Sequence, residues 1–267
     1  MPHSQDPTHM TGPIAAGDET GPPRLELRGR TATITLRRPE VANRLGPEEI
    51  AEFIRHIKAA DAAGALVLII GGTGKYFCSG FDIGRMENRR EGAGFEALVD
   101  TLEDCRPVTI AALNGGVYGG ATDLALACDF RLGTTSVDMF MPAARLGLHF
   151  YRRGLERYVS RLGLDTAKRL FLTADRLDAD ELLRCGFLTS LVAPEQLAQA
   201  TDALARKLAG MAPIPLLGMK KHLNRIARGA LDLQELDGDI QRAQRSDDLR
   251  EGRAAWREKR PPAFAGR

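Results

Sequence analysis

Two runs of apolar residues constrain the fold of this 267-residue chain more than any other feature of its sequence. Residues 66–70 are all aliphatic, and residues 108–113 are interrupted only by Thr109. Strands with such unbroken runs are typical of parallel sheets, because helices cover both faces of those sheets. The two runs therefore predict an α/β fold with a buried sheet.

Other elements follow from the period of the apolar residues. Alternation with period two predicts paired strands at residues 25–27 and 31–36, joined by a turn near Gly29. Helical spacing predicts an amphipathic helix after Gly46. Loops are predicted at residues 71–84 and 85–94, a helix at 119–127, and short strands at 130–132 and 137–141. Beyond residue 151 the pattern is mostly helical, with residues 187–192 extended, and the helical segments are 152–172, 178–185, 193–210, 215–227, 232–243 and 247–258.

Charge and composition argue against several classes of protein. The chain has 37 Lys and Arg against 35 Asp and Glu and no long basic run, so no nucleic-acid partner is expected. No apolar stretch approaches the roughly 20 residues of a membrane-spanning helix, so no membrane partner is expected either. The four cysteines form no CxxC pair and no secretory signal is visible, which predicts reduced thiols in a cytoplasmic protein. The five histidines form no HxxxH or HxH pair, so no metal site is predicted.

Two glycine-bearing loops that follow the apolar runs are the candidate site for chemistry. The first loop, residues 76–82, contains Gly80, and the second, residues 114–124, contains Gly119 and Gly120. Glycine beside a helix N-terminus lets a ligand approach free backbone N–H groups, which favour negative charge. Two such donors that converge form an oxyanion hole; alternatively, the glycines only make tight turns. The phosphate-binding pattern GxxxxGK and the dinucleotide-binding pattern GxGxxG are both absent.

Short motifs occur in a fixed order over residues 25–267. They are Arg38-Pro39, Asn43-Arg44-Leu45, Phe77-Cys78-Ser79-Gly80-Phe81-Asp82, the segment from Asn114-Gly115 through Gly119-Gly120 to Asp129, Phe140-Met141-Pro142, Arg161-Leu162-Gly163, and a tail with Trp256, Lys259 and Phe264. In this order they resemble the motifs of the enoyl-CoA hydratase/isomerase superfamily, also called the crotonase superfamily. The resemblance implies an α/β fold built as a spiral of ββα units.

The resemblance also implies how the chain is divided. Residues 1–22 are polar and without periodicity, and we expect a disordered leader, part of which resembles an expression tag. The crotonase core then spans residues 23–200, and a C-terminal helical region at 201–267 builds a homotrimer or a hexamer made of two trimers. That tail carries more apolar residues than a monomer usually exposes: Leu216, Leu217, Leu223, Ile226, Leu231 and Leu233.

The substrate that the resemblance implies is an acyl-CoA thioester. Coenzyme A is then part of the substrate, and no prosthetic group is expected. In the family, two backbone N–H groups hold the thioester oxygen, and the matching residues here are Phe81 and Gly120. Chemistry alpha to a thioester needs negative charge stabilised on that oxygen, which such donors provide.

Four further residues are predicted to contact coenzyme A. Arg38 and Ser79 lie in the N-terminal half of the chain, where the resemblance implies contact with the nucleotide. Trp256 and Lys259 occupy tail positions that reach the coenzyme A of a neighbouring subunit in relatives. For the tail the alternative is a solvated run of charges at residues 257–260.

The chain departs from the family at the two glutamates that activate water in its hydratases. The first becomes Asp123, which is one methylene shorter, and the second becomes Ala143, which cannot transfer a proton. Hydration by the usual route is therefore doubtful; isomerase, decarboxylase or hydrolase chemistry stays open, and the alternative is a thioester-binding protein with lost or minimal catalysis. New polar side chains enter the expected acyl pocket: Arg145, His149, Tyr151, Arg152 and Arg153. His149 either replaces the lost acid or base or is a structural hydrogen-bonding residue, and the arginines either bind a substrate carboxylate or lie on the surface.

Overall fold

Two β-sheets organise residues 20–82 and 89–267, the part of the chain that a computed structural model describes. The strands of this part are β1 (Gly21–Arg28), β2 (Thr31–Arg37), β3 (Val67–Gly72), β4 (Tyr76–Cys78), β5 (Val108–Leu113), β6 (Gly116–Tyr118), β7 (Phe130–Thr134), β8 (Asp138–Phe140), β9 (Leu177–Asp178) and β10 (Ser190–Val192). Its α-helices are α1 (Pro47–Ala62), α2 (Arg89–Asp104), α3 (Gly120–Ala127), α4 (Arg152–Leu162), α5 (Leu164–Lys168), α6 (Ala179–Arg184), α7 (Leu197–Ala209), α8 (Pro213–Ala227), α9 (Leu233–Gln244) and α10 (Asp247–Glu258).

The larger sheet has six strands in the order β1-β2-β3-β5-β7-β10. β1 pairs with β2 in antiparallel register, and the other neighbouring pairs are parallel. β3 and β5 lie inside the sheet and are buried along their whole length. The predicted strand pair, the two buried strands and the α/β fold class are therefore confirmed.

Successive side chains of β3 enter two separate cores. Leu68 and Ile70 pack among residues of α1, α2 and α3, whereas Val67 and Ile69 pack among residues of β5 and α7. Side chains alternate between the two faces of a strand, so a strand with helices on both sides is apolar at every position. This explains why residues 66–70 contain no polar side chain.

The smaller sheet has four strands in the order β4-β6-β8-β9. β4 pairs with β6 in parallel, as β6 does with β8. Because parallel strands end at the same edge of a sheet, the chain leaves β4 and β6 side by side. These strands lie within the two glycine-bearing loops, and Gly80 and Gly119 follow closely after them. β4, β6 and β9 are two or three residues long, too short for a sequence period to predict them.

Helix α2 is the largest difference from the sequence-based expectation. Residues 85–94 are predicted to form a loop; residues 85–88 lie outside the described part, and α2 begins at Arg89. Gly92 and Gly94 obscure the start of the helix, because glycine disfavours helical structure. The helical signal lies further along, in apolar residues that are buried in the core: Phe95, Leu98, Val99 and Leu102.

Smaller differences concern boundaries. Of the predicted leader, residues 1–19 lie outside the described part, and β1 already begins at Gly21. The predicted helix at 152–172 is divided at Gly163, which separates α4 from α5, and a π-helical turn at Arg169–Thr173 follows. Glycine has the freedom to make this break, since Gly163 has a positive φ of 79°.

The last three helices form an apolar groove on the surface. The groove lies between α8, α9 and α10 and has a volume of about 1330 Å³. Several large apolar side chains in it are exposed, among them Met219 (58%), Leu223 (64%), Ile226 (55%) and Trp256 (86%). Two of the tail leucines that the sequence analysis names, Leu216 and Leu217, are not in the exposed groove. They pack against the core formed by β3, β5 and α7. Within residues 20–82 and 89–267, none of the helices has the length and apolarity needed to cross a membrane.

Candidate active site

The two glycine-bearing loops meet at Gly80. Its φ of 88° lies in the left-handed region, which glycine adopts readily and other residues rarely do. A Cβ atom built on Gly80 would lie 2.7 Å from the backbone nitrogen of Gly120 and 2.8 Å from the carbonyl oxygen of Tyr118. Glycine is therefore required at this position both by the backbone conformation and by the closeness of the second loop.

A parallel bridge between Leu45 and Phe81 orients the first loop. The Leu45 N–H donates to the Gly80 carbonyl at 2.8 Å, and the Asp82 N–H donates to the Leu45 carbonyl at 3.0 Å. Leu45 is thus bonded to the residues on either side of Phe81. In a parallel bridge of this kind, the residue in the middle directs its own N–H away from the partner strand. The Phe81 N–H thus points away from Leu45, and it donates no hydrogen bond to any described residue.

Asn43 anchors the base of the first loop. It is 1% exposed, and its side-chain amide donates to the carbonyls of Thr73 and Tyr76, each at 2.9 Å. Its Oδ1 accepts from the Arg38 N–H at 2.8 Å. The fully buried Cys78 thiol donates to the Asn43 carbonyl at 3.1 Å, and burial raises the pKa of this thiol to about 12. Cys78 is therefore a packing residue and not a nucleophile.

Gly119 and Gly120 turn β6 into α3. Gly119 combines a φ of 55° with a ψ of −130°, a conformation that side chains disfavour. α3 begins at Gly120, whose N–H donates to no acceptor among the described residues. A Cβ atom on Gly120 would lie 2.7 Å from the ring of Phe95, which packs edge-to-face against Phe81. The second free donor is therefore adjacent to an apolar wall supplied by α2.

Asp123 lies in the first turn of α3 and is completely buried. Its Oδ2 accepts a hydrogen bond from Arg157 Nη1 at 2.6 Å and a second one from the Tyr151 hydroxyl. Its Oδ1 is buried and has no hydrogen-bond partner in the described part of the chain. Burial raises the pKa of Asp123, and the charge of Arg157 opposes that rise. The predicted carboxylate is thus enclosed by two partners, of which Tyr151 is partly exposed.

Arg157 joins three helices through buried ion pairs. Its side chain, on α4, is 1% exposed and pairs with Asp123 on α3 at 2.6 Å and with Glu103 on α2 at 3.0 Å. Three more arginines surround Glu103 at 2.9 to 3.4 Å: Arg153, Arg161 and Arg228. Burial alone would raise the pKa of Glu103, but the hydrogen bond from Arg157 and the surrounding positive charges lower this pKa to about 2.

Ala143 and His149 lie in the segment before α4. Ala143 is 7% exposed and precedes a 3-10 turn, which the Leu148 N–H closes by donating to the Ala143 carbonyl at 2.9 Å. His149 is exposed, and its Nδ1 lies 2.8 Å from the carbonyl oxygen of Phe150. Tyr151, and not His149, contacts the buried carboxylate. The catalytic role considered for His149 stays a prediction.

Two of the arginines predicted near the acyl pocket, Arg152 and Arg153, have partners within the protein. Arg152 is exposed and pairs with Glu156 at 2.7 Å. Arg153 pairs with Glu103 at 2.9 Å and with Asp104 at 3.1 Å. Arg153 therefore belongs to the ion-pair network between α2 and α4.

Sequence reasoning missed Arg157 as a site residue, although a signal for it exists. Arg153, Arg157 and Arg161 follow one another at intervals of four, which is usually typical of a solvated helix face. The discriminating signal is a matching acidic face on α2, formed by Asp100, Glu103 and Asp104. Two charged stripes of opposite sign predict that the helices face each other.

The residues predicted to contact coenzyme A lie in two regions. Ser79 is partly exposed in the first loop, and Arg38, which precedes that loop's anchor, donates to Glu49 at 2.7 Å. Trp256 is on α10 beside the apolar groove, and Lys259 is the exposed left-handed residue that ends this helix. In the described residues, no group of His, Cys, Asp and Glu side chains is arranged to hold a metal ion.

The chain is similar to known proteins in both sequence and fold. Residues 26–267 match the family model for enoyl-CoA hydratase/isomerase. The chain is 32% identical over 209 residues to the short-chain-enoyl-CoA hydratase of Clostridium acetobutylicum, covering 75% of this chain and 80% of that protein. It is 30% identical over 260 residues to the carnitinyl-CoA dehydratase of Proteus mirabilis, covering 91% and 98%. The crystal structure of enoyl-CoA hydratase subunit I from Geobacillus kaustophilus superposes with a TM-score of 0.84 at 29% identity, covering 94% of this chain and 100% of that chain.

The low pKa of Glu103 predicts acid sensitivity. The folded protein has a pKa of about 2 at Glu103 against an ordinary 4.5, so the unfolded chain binds this proton first as the pH falls. Stability from Glu103 is complete above about pH 5 and disappears toward pH 2, a loss of about 3 kcal/mol. We expect Glu103→Gln to lower Tm most at pH 7 and progressively less toward pH 3, as measured by calorimetry. The exposed Glu195→Gln is the control, and equal Tm differences at both pH values for Glu103→Gln would contradict the prediction.

Proposed function

Because the chain belongs to the enoyl-CoA hydratase/isomerase family, we propose that it is an acyl-CoA-processing enzyme that stabilises a thioester enolate in an oxyanion hole. The backbone N–H groups of Phe81 and Gly120 form this hole. The observation that carries the proposal is the close approach of the two loops, which leaves the Cβ position of Gly80 only 2.7 Å from the Gly120 nitrogen. Neither N–H group donates to a described residue, so both are available to a ligand oxygen.

The chemistry needs donors of this kind. Removing a proton alpha to a thioester places negative charge on the thioester oxygen. Backbone N–H groups that are already fixed in position stabilise this charge without reorganising during the reaction. The N-terminus of α3 adds roughly half a positive elementary charge at Gly120. Losing one donor of such a hole typically lowers kcat by about 10²–10³-fold.

Coenzyme A binding is proposed to involve both regions of predicted contact residues. Arg38 precedes the first loop and Ser79 lies in it, and both are proposed to contact the same coenzyme A. Trp256 and Lys259 lie on the tail and are proposed to reach the coenzyme A of a neighbouring subunit. Coenzyme A enters as part of the substrate in this proposal, and no prosthetic group takes part.

The reaction class follows from the carboxylates that remain. Hydration by the family's usual route needs two glutamates that hold a water, and the chain has Asp123 and Ala143 at these positions. A single carboxylate with an oxyanion hole is sufficient for moving one proton alpha to the thioester. We therefore propose isomerase, decarboxylase or hydrolase chemistry for this chain in preference to hydration, although the names of its relatives favour a hydratase.

A second candidate function is acyl-CoA binding with lost or minimal catalysis. Ala143 is the observation that favours it, because this buried residue replaces a group that transfers protons. The two functions differ in one measurable respect. A binding protein retains its affinity for thioesters but does not exchange their alpha protons with the solvent.

Assembly into trimers or hexamers is proposed from the apolar groove of the tail. Leu223 is 64% exposed in this groove and is expected to be buried between subunits. Sedimentation at micromolar concentration should show a trimer or hexamer for the wild type and smaller species for Leu223→Glu. Leu27→Glu places the same charge on a 51% exposed residue of β1 and serves as the control. A wild-type monomer under these conditions would overturn the proposal.

The acyl-CoA proposal predicts that butyryl-CoA binds and raises Tm. A ligand selective for the folded state adds about 2.7 kcal/mol of stability at 100 times its Kd. Gly80→Ala should abolish the shift, because the added Cβ displaces the Gly120 N–H. Gly64→Ala is the matched control, since Gly64 has a φ of 75° but no atom within 4 Å of its Cβ position. Absence of both binding heat and a Tm shift with millimolar butyryl-CoA would count decisively against acyl-CoA binding.

The composition of the site predicts weak or absent hydration of crotonyl-CoA. General acid–base catalysis contributes about 10²–10⁴-fold, which sets the size of the deficit caused by Ala143. Ala143→Glu should recover part of it, and more when combined with Asp123→Glu, which restores the reach of the first carboxylate. Ala143→Gln is the control, because it adds similar bulk without a group that transfers protons. Strong wild-type hydration that persists in His149→Ala would show that Ala143 does not prevent hydration and that the prediction is wrong.

A further inference from the structure

We propose that Tyr151 is the group that exchanges a proton with the substrate, and that it relays this proton to and from Asp123. The inference rests on the proposed function and deepens it, because it assigns the proton path of the same site. It starts from the burial of Asp123, whose side chain is 0% exposed. A carboxylate enclosed in this way cannot itself touch a bound acyl chain.

Tyr151 has the position that a relay requires. Its hydroxyl donates to Asp123 Oδ2, and Tyr151 is half-buried as a residue, whereas Asp123 is completely buried. The ring is held by stacking on Phe150, with the centroids 4.5 Å apart and the planes at 22°. Tyr151 thus provides the reach that Asp123 lacks by comparison with a glutamate.

The relay lies close to the proposed oxyanion hole. Asp123 follows Gly120 by three residues in the same helix, and residues at this spacing are neighbours on a helix surface, about 5–6 Å apart. The Tyr151 hydroxyl is one hydrogen bond further on. The Tyr151 hydroxyl therefore bonds a carboxylate that lies one helical turn from the Gly120 donor.

The proton balance of the relay is closed. In the forward direction the bond between the alpha carbon and its hydrogen breaks, and its electron pair forms the enolate. The proton moves to the Tyr151 oxygen while the Tyr151 hydroxyl proton moves to Asp123 Oδ2. The reverse transfers protonate the enolate at carbon. Tyr151 is neutral before and after each passage, and the process needs no oxidant or other reactant.

The surroundings of Asp123 favour its role as the proton store. Burial raises the pKa of Asp123, which makes it a stronger base than an exposed aspartate. Arg157, at 2.6 Å, fixes the carboxylate, and its charge opposes the rise in the pKa of Asp123. Oδ1 has no partner within the described part of the chain, although buried acceptors are usually satisfied. Burial and the neighbouring Asp123 charge raise the pKa of Tyr151, so the hydroxyl is protonated at neutral pH.

The test follows alpha-proton exchange of butyryl-CoA in D₂O by NMR, with affinity measured separately by calorimetry. Tyr151→Phe and Asp123→Asn should each slow exchange at saturation by about 100-fold or more, with Kd changed less than about threefold. Tyr158→Phe is the matched control. Tyr158 is a buried tyrosine of α4 whose hydroxyl contacts Thr122 and not Asp123, and its removal should leave exchange within about threefold.

A fluorinated tyrosine at position 151 separates a proton-transfer role from a structural one. Fluorine beside the hydroxyl lowers the phenol pKa while keeping the ring and its hydrogen bond. The rate of exchange at saturation should then change while Kd stays constant, whereas a purely structural role leaves both unchanged. If Tyr151→Phe does not fold, the fluorinated variant still tests whether Tyr151 transfers a proton.

The outcomes distinguish the relay from the function on which it rests. Failure of the wild type to bind butyryl-CoA overturns the acyl-CoA proposal and the relay with it. Binding without exchange, or exchange that is equally fast in Tyr151→Phe, overturns the relay and leaves acyl-CoA binding intact. An unchanged exchange rate with the fluorinated residue also overturns the relay.

Discussion

The position of the candidate site depends on one buried cation, the guanidinium of Arg157. It holds α4 against α2 through Glu103 and against α3 through Asp123. Removing the arginine would leave the buried Asp123 without a cationic partner, at a cost of about 3–5 kcal/mol. Glu103 would keep its pairs with Arg153, Arg161 and Arg228. The helix that bears the Gly120 donor and the segment that carries Tyr151 are therefore fixed relative to each other by the same charge.

Much of the fold could be predicted from sequence because its central strands are unusually constrained. A strand with helices on both faces is apolar at every position, and residues 66–70 and 108–113 display this directly. Strands of two or three residues, such as β4 and β9, carry no period at all. The start of α2 was hidden for a different reason, since Gly92 and Gly94 weaken a helical pattern that tertiary packing on Phe95 supports.

Some residues of the candidate site could likewise be predicted from the sequence, and others could not. Gly80, Gly119 and Gly120 could be predicted from the sequence. Glycines that closely follow buried strands indicate a positive φ or a close approach of another segment, which other residues do not allow. The environment of Asp123 could not, since its partners Tyr151 and Arg157 are 28 and 34 residues away along the chain. Contacts of this range depend on how α4 packs against α3. A motif identifies that a carboxylate is present, and only the packing shows that it is enclosed.

The proposed oxyanion hole takes its donors from the main chain, and this has a consequence for how such a protein diverges. Exchanging one side chain for another leaves backbone donors in place, and only an added Cβ at a few glycines, such as Gly80, displaces them. A side chain such as Tyr151, which is half-buried and supplies no main-chain donor to the hole, is under no such restriction. A lineage built on this architecture can replace its acid–base groups one at a time and still polarise the same bond. Reaction type is then the property that changes most easily, and thioester activation the one that persists.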